Sequence, residues 1–217
     1  VVELRPAGSG PSVEQPAVAP ATDAGALVEA RGVTRRYGRE VALERLDATF
    51  SPGMLTVVTG PSGSGKSTLL ALLAGLDTPD EGEVAVDGIV LSRLDRDQRA
   101  AFRRERIGVI GQTPGLSGTL TARENVELVL GLRGIEPQEA SERALEALAV
   151  VGLADHADRR VDRLSAGERE RVALARAFSG RQAVIVADEP TARLDSVTTL
   201  AIGGLLADLA RDHGTTV

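Results

Sequence analysis

The stretch GPSGSGKSTLL, residues 60–70, constrains this chain more than any other. It follows the apolar run MLTVVTG and leads into STLLALLAGL, a series of good helix formers, so the order reads as strand, loop, helix. Gly60, Gly65, Lys66 and Ser67 fill the template G-x-x-x-x-G-K-[ST], in which backbone N–H groups at a helix N-terminus cradle phosphates. Ser62, Gly63 and Ser64 complete the loop, and Thr68 is placed to assist an α-phosphate. Lys66 is the only lysine; the rest of the 25 basic residues are arginines. A compact ammonium on a flexible stem can bridge two phosphate groups where a planar guanidinium does not fit the same cradle. Ser67 offers a hydroxyl to Mg²⁺. The loop alone leaves GTPases, kinases and many ATPases open.

The rest of the composition narrows the setting. The 217 residues, 42% hydrophobic and 26% charged, suit one soluble α/β unit with a real core. No run approaches the roughly 18 apolar residues that span a bilayer, and no basic segment followed by an apolar one marks a signal peptide. Zero cysteines exclude a disulfide framework and a thiolate metal site, and two histidines leave little for imidazole ligation, which fits a cytoplasmic home. A net charge of −6 argues against a surface built to hold a nucleic-acid backbone. The six arginines in residues 93–106 are interrupted by Asp95, Asp97 and Glu105 and read as a solvated helix face.

Residues 1–26 carry four of the ten prolines and no apolar period, so they are expected to form a flexible Pro/Ala-rich tail, with the folded domain at 27–217. A chain starting at Val1 is expected to be a portion of a longer one. LVEARGVTRRYG and EVALERLDATFSPG alternate on either side of Gly38 as two antiparallel strands would. GEVAVDG reads as a strand, DRDQRAAFRRER as a helix and IGVIG as a buried strand. The region from Thr121 to Gly180 has helical composition: Thr121 and Glu124 have capping-box spacing, Pro137 sits near a helix start, and AGERERVALARAF places Val172, Leu174, Ala175 and Phe178 at helical intervals. AVIVADEP returns to an apolar strand of the kind covered on both faces in a parallel sheet.

That last strand delivers Asp188 and Glu189 to its carboxyl end, where open α/β sheets bind ligands. Asp188 is placed to hold Mg²⁺ through water, and Glu189 to polarise the water that attacks a γ-phosphate. Upstream lies LSAGERERVALARA, residues 164–177. Ser165 and Glu168 have capping-box spacing, and a helix N-terminus with a free hydroxyl is also an anion site.

With this segment the chain resembles the nucleotide-binding subunit of ATP-binding cassette (ABC) transporters, whose signature reads LSGGQ or LSGGE before a similar RVALARA helix. Ser165, Gly167 and Glu168 match the signature, and Ala166 replaces a glycine. LTARENVEL, LSAGERERVALARA and ADEPTARLD are most similar to the group of lipoprotein-releasing, macrolide-efflux and cell-division ATPases. The resemblance implies a P-loop NTPase core with a mixed or parallel sheet, an N-terminal antiparallel β subdomain and a helical subdomain at about 113–180.

It also implies roles. Tyr37 in RRYG stands where the family stacks an aromatic on adenine, Gln112 where a glutamine reaches Mg²⁺ and senses the γ-phosphate, and Asp195 where a loop crosses a dimer interface. Gly111 takes a position where relatives commonly carry Phe. The family's switch histidine falls after HGTTV, so the chain is expected to be incomplete at its C-terminus; His213 precedes that strand and is not its equivalent. ATP and Mg²⁺ are the implied ligands. The implied partners are a second nucleotide-binding subunit and a transmembrane permease, which would hold the chain peripherally on the inner face of the cell membrane. A soluble ABC ATPase acting on nucleic acid or the ribosome, and a binding-only regulatory module, are the alternatives.

Overall fold

The computed structural model describes residues 2–3, 25–192 and 194–217. Most of the expected 1–26 tail lies outside these residues. Of its remainder, Val2–Glu3 form a short strand, β1, and Gly25 and Ala26 are built into the fold: Gly25 N donates to Gly214 O at 2.9 Å, and Thr216 Oγ1 donates to Ala26 O at 2.5 Å.

The described residues fall into two compact units, one running to Arg103 and including Leu209–Val217, the other Arg104–Asp208. In the first, β2 (Val28–Tyr37) and β3 (Glu40–Phe50) pair antiparallel from Val28↔Phe50 to Tyr37↔Glu40, and Gly38 turns the chain at φ 63°. Val28, Ala30 and Val33 of β2 and Leu43, Leu46 and Phe50 of β3 are buried, at spacings that depart from strict alternation because the register shifts along the hairpin. The hairpin is irregular near its middle, where the buried Thr34 hydroxyl accepts the Arg45 N–H at 3.1 Å and so satisfies a backbone donor that the ladder loses.

The strand expected from MLTVVTG is ladder-paired only over β4 (Val58–Thr59), parallel to β1. The residues before it bond elsewhere: Thr56 N donates to Val217 O at 2.7 Å, and Val217 N to Met54 O at 3.0 Å. Helix α1 (Lys66–Leu73) follows the glycine-rich loop and buries Leu69, Leu72 and Leu73, which share one face at i, i+3 and i+4. Strand β5 (Glu81–Val86) adds antiparallel to β2, and β6 (Ile89–Val90) to β5, giving the order β3-β2-β5-β6. The arginine-rich helix α2 (Arg96–Arg106) has no buried residue, in keeping with a solvated face.

In the second unit, β7 (Ile107–Ile110) and β8 (Val184–Ala187) pair parallel and in register, Ile107↔Val184 through Ile110↔Ala187. Between them in sequence come α3 (Ala122–Gly131), α4 (Pro137–Val150) and α5 (Ala166–Phe178), which pack on one another through Val126, Leu130, Ala144, Leu148 and Val172. The helical subdomain expected at about 113–180 lies within this unit. The buried Asn125 orders the segment leading into α3: its Nδ2 donates to Ser117 O and Thr121 O, and its Oδ1 accepts from Ser117 N at 2.8 Å. Helix α5 presses on β7 so closely that a Cβ at Gly108 would come within 2.3 Å of Ala177 O, which only glycine avoids. Helix α6 (Ser196–His213) follows, with Ile202 and Leu206 buried in this unit and Leu209, also buried, counted with the first.

Candidate functional site

The glycine-rich loop belongs to the first unit. It leaves β4 at Gly60 and enters α1 through Gly65, whose φ of 87° only glycine adopts without strain. Glycine is needed at Gly65 for space too, because a Cβ there would sit 2.3 Å from Ala42 O and 2.7 Å from Leu43 Cδ2 on β3. The loop is thereby pinned against the β2–β3 hairpin. No side chain caps α1, whereas α3 and α5 are closed by complete capping boxes, Thr121 with Glu124 and Ser165 with Glu168. The first-turn N–H groups of α1 are therefore open to an anion. Lys66 Nζ folds onto the same loop, donating to Gly60 O at 2.9 Å and Pro61 O at 2.8 Å. Ser64 Oγ is buried without a hydrogen-bond partner, a hydroxyl that an incoming phosphate oxygen could satisfy. Ser62, Gly63 and Ser67 are exposed along the loop, with Thr68 half-buried behind them.

In the second unit the register of β7 and β8 brings three expected site residues to one end. Asp188 N donates to Ile110 O at 2.8 Å, so the carboxylates of Asp188 and Glu189 follow one strand where Gln112 follows its neighbour. Gln112 and Glu189 are exposed. Glu189 adopts φ 48°, a left-handed conformation that costs a non-glycine residue on the order of 1 kcal/mol and that clusters at functional sites. The segment beyond Gln112 is tied to α5 by Arg176, whose Nη1 donates to Gly115 O at 2.8 Å and Nη2 to Pro114 O at 2.6 Å. Burial pushes the Arg176 pKa down, and these carbonyls are what its guanidinium finds in place of water. The sequence gives no signal for this link, since it joins residues 61 and 62 positions apart.

The LSAGE turn stands at the start of α5. Ser165 Oγ accepts the Glu168 N–H at 3.2 Å, and Glu168 Oε2 accepts the Ser165 N–H at 2.6 Å. These hydrogen bonds from Ser165 hold the Glu168 carboxyl below its ordinary range, and His156, with Nδ1 2.8 Å from Glu168 Oε1, acts in the same direction. Ala166 is exposed, so its methyl group meets no crowding where the family pattern has glycine. Gly167 is tighter: a Cβ there would lie 2.9 Å from Thr198 Cγ2. Thr198 is itself held by Asp195, whose Oδ1 accepts from Val197 N and Thr198 N and whose Oδ2 accepts from Thr198 Oγ1 at 2.8 Å. Asp195 thus caps α6, a role the sequence reading did not assign, and the structure brings its cap beside the LSAGE turn.

Tyr37 ends β2, with 49% of its surface exposed. Its hydroxyl donates to Asp77 Oδ2 at 2.9 Å. It pairs with Glu40, two residues from the Ala42 carbonyl that touches the Gly65 position, so the ring and the glycine-rich loop share one neighbourhood.

In the first unit Ser67 carries a hydroxyl oxygen, and in the second Gln112 and Asp188 carry an amide and a carboxylate oxygen; each is a hard donor of the type that suits Mg²⁺. Among the described residues no three His, Asp or Glu gather into a metal site.

Residues 43–192 match the sequence pattern of the family described as ABC transporter. The chain is 40% identical over 190 residues to the lipoprotein-releasing system ATP-binding protein LolD of Bacteroides thetaiotaomicron, covering 88% of this chain and 87% of that one. Among solved structures it is similar to MJ0796, described as a bacterial ABC transporter cassette in a dimeric structure, at a TM-score of 0.79 and 39% identity over 88% of this chain and 85% of that one. A second structure of MJ0796, with the same TM-score, identity and coverage, is described as a dimeric post-hydrolysis state bound to ADP and Pi.

Proposed function

The chain belongs to the ABC transporter family, and on that premise we propose that it is an ATP-hydrolysing, nucleotide-binding subunit that pairs on ATP and acts through a membrane-embedded partner. The observation that carries this reading is the open N-terminus of α1, where uncapped amides, the Lys66 ammonium and the unpartnered Ser64 hydroxyl converge on one loop. Such a cradle selects a polyphosphate. Lys66 exchanges its two carbonyl partners for phosphate oxygens and offsets their charge. Glu189 accepts the proton of the attacking water, and Gln112 orients that water and reports whether a γ-phosphate is present. Ser67, Gln112 and Asp188 would hold Mg²⁺, which neutralises charge on the phosphates when bound.

The Ser165 hydroxyl, Gly167 and the capped turn at Asp195 form the face offered to the nucleotide of a second copy. ATP favours the paired state because its γ-phosphate is the group both copies share, and hydrolysis removes that difference in affinity. No described helix is long and apolar enough to cross a membrane, so a permease subunit supplies the span and keeps this chain on the cytoplasmic side. The docking site in this reading lies near Gln112 and the segment from Gly115 to Val126. It is supported by the hydrogen bonds that Asn125 and Arg176 make within it, and by two exposed leucines, Leu128 on α3 and Leu132 at its C-cap.

The test is light scattering and turnover with MgATP. Glu189→Gln is expected to bind ATP, lose turnover and accumulate as a dimer, while Lys66→Ala loses nucleotide binding. A Glu189→Gln chain that stays monomeric with ATP bound would overturn the pairing.

A further inference from the structure

The proposed nucleotide site has a support that no sequence motif marks. Arg35, two residues before Tyr37 on β2, lays its guanidinium over the Tyr37 ring, with Cζ 4.9 Å from the centroid. Its Nε and Nη2 donate to the two carboxylate oxygens of Asp77, each at 2.9 Å. Asp77 Oδ2 also accepts the Tyr37 hydroxyl at 2.9 Å, so one carboxylate fixes both the cation and the ring. The arrangement is anchored further: Arg35 Nη1 donates to Asp80 Oδ1 at 3.0 Å, Asp77 Oδ1 accepts from Thr78 N at 2.8 Å, and Asp77 N donates to Ala71 O at the end of α1.

We propose that Arg35 and Asp77 are positioning residues that hold Tyr37 as a one-sided platform for the nucleotide base. This rests on the reading of the chain as a nucleotide-binding subunit. A guanidinium on one face leaves a base only the opposite face, and a hydroxyl tied to Asp77 stops the ring from swinging about its side-chain bonds. An exposed aromatic with free rotamers loses entropy when a base stacks on it; a ring already fixed loses little, which appears as tighter binding. The bidentate fork to a carboxylate is what holds the Arg35 guanidinium over the ring, and lysine could not reproduce it. Because Asp77 hangs from the end of the helix that the glycine-rich loop opens, the platform and the phosphate cradle are braced by the same short element.

Binding of MgATP and of magnesium tripolyphosphate, which has the phosphates but no base, separates the possibilities by calorimetry on the folded chain. Tyr37→Phe deletes only the anchored hydroxyl, Arg35→Gln removes cation and fork, and Asp77→Asn weakens both anchors. Each is expected to weaken ATP about threefold to tenfold, to leave tripolyphosphate unchanged, and to raise KM without lowering kcat. Arg35→Lys should not restore affinity. Added to Tyr37→Leu, which abolishes the platform, Arg35→Gln and Asp77→Asn should cost nothing further. Equal losses for tripolyphosphate, or losses that add in the Tyr37→Leu background, would overturn the proposal, as would a Tyr37→Phe, Arg35→Gln and Asp77→Asn set that binds ATP like the parent. If the parent chain binds neither ligand, the nucleotide reading falls first and the platform with it.

Discussion

Glu189 carries an unusual combination: an exposed carboxylate at the end of an apolar strand, on a backbone at φ 48°. Nothing local requires glutamate in that conformation, and glycine would adopt it freely. If the side chain is kept for its proton chemistry, stability and activity should separate at this position. Glu189→Gly is expected to raise thermal stability by about 1 kcal/mol, measured by calorimetric melting, while turnover falls by about two to four orders of magnitude as a general base is lost. A variant that is less stable, or that retains turnover, would show that the backbone strain is unrelated to catalysis. Lys66 poses the complementary case. Its hydrogen bonds to Gly60 O and Pro61 O are exposed and contribute little to folding, so Lys66→Ala should melt close to the parent and still lose ATP binding.

Two helices of the second unit begin with the same device, and their different surroundings allow the cap to be separated from the proposed ligand role. Thr121 and Ser165 each accept the N–H three residues on, and Glu124 and Glu168 each reach back. Thr121→Ala should cost about 1 kcal/mol of stability and leave ATP-driven pairing intact, as read by melting and light scattering. Ser165→Asp keeps a good cap residue but sets a negative charge against an incoming phosphate, so it should melt within about 1 kcal/mol of the parent and fail to pair. Both capping boxes were legible in the sequence because their four residues are contiguous, and α5 runs from Ala166 to Phe178 as its apolar spacing predicts. The β2–β3 hairpin was legible for the same reason. The MLTVVTG strand was not fully so: apolar composition marks extended chain, but which partner bonds to Met54 and Thr56 is decided by Val217, far away in sequence.

At the scale of the molecule, what the sequence reading missed are links between distant segments. The order of motifs, each a few residues long, was readable because template chemistry is local. Arg35, Tyr37 and Asp77 join positions about 40 apart, and Arg176 reaches back 61 and 62 positions to Gly115 and Pro114; no period or spacing encodes such pairs. Several of these links and caps share one kind of group, a carboxylate held ionised by the fold. Hydrogen bonds from Thr121 lower the pKa of Glu124, those from Ser165 lower Glu168, and those from Thr198 lower Asp195. At Asp77 burial works the other way, but hydrogen bonds from Thr78, Tyr37 and Arg35, with the charge of Arg35, outweigh it. A carboxyl whose pKa is lower folded than unfolded contributes stability above its unfolded value and loses it as pH falls through the folded one. Ordinary values are 4.5 for the glutamates and 3.8 for the aspartates, so the melting temperature is expected to be level from neutral pH down to about pH 5 and to drop steeply below pH 4.5. Replacing Asp195 with Asn removes one of these groups and should make the acid limb shallower while lowering the plateau. A melting temperature that stays level to pH 3, or that has already fallen by pH 6, would mean that these carboxylates do not govern the acid stability of the fold.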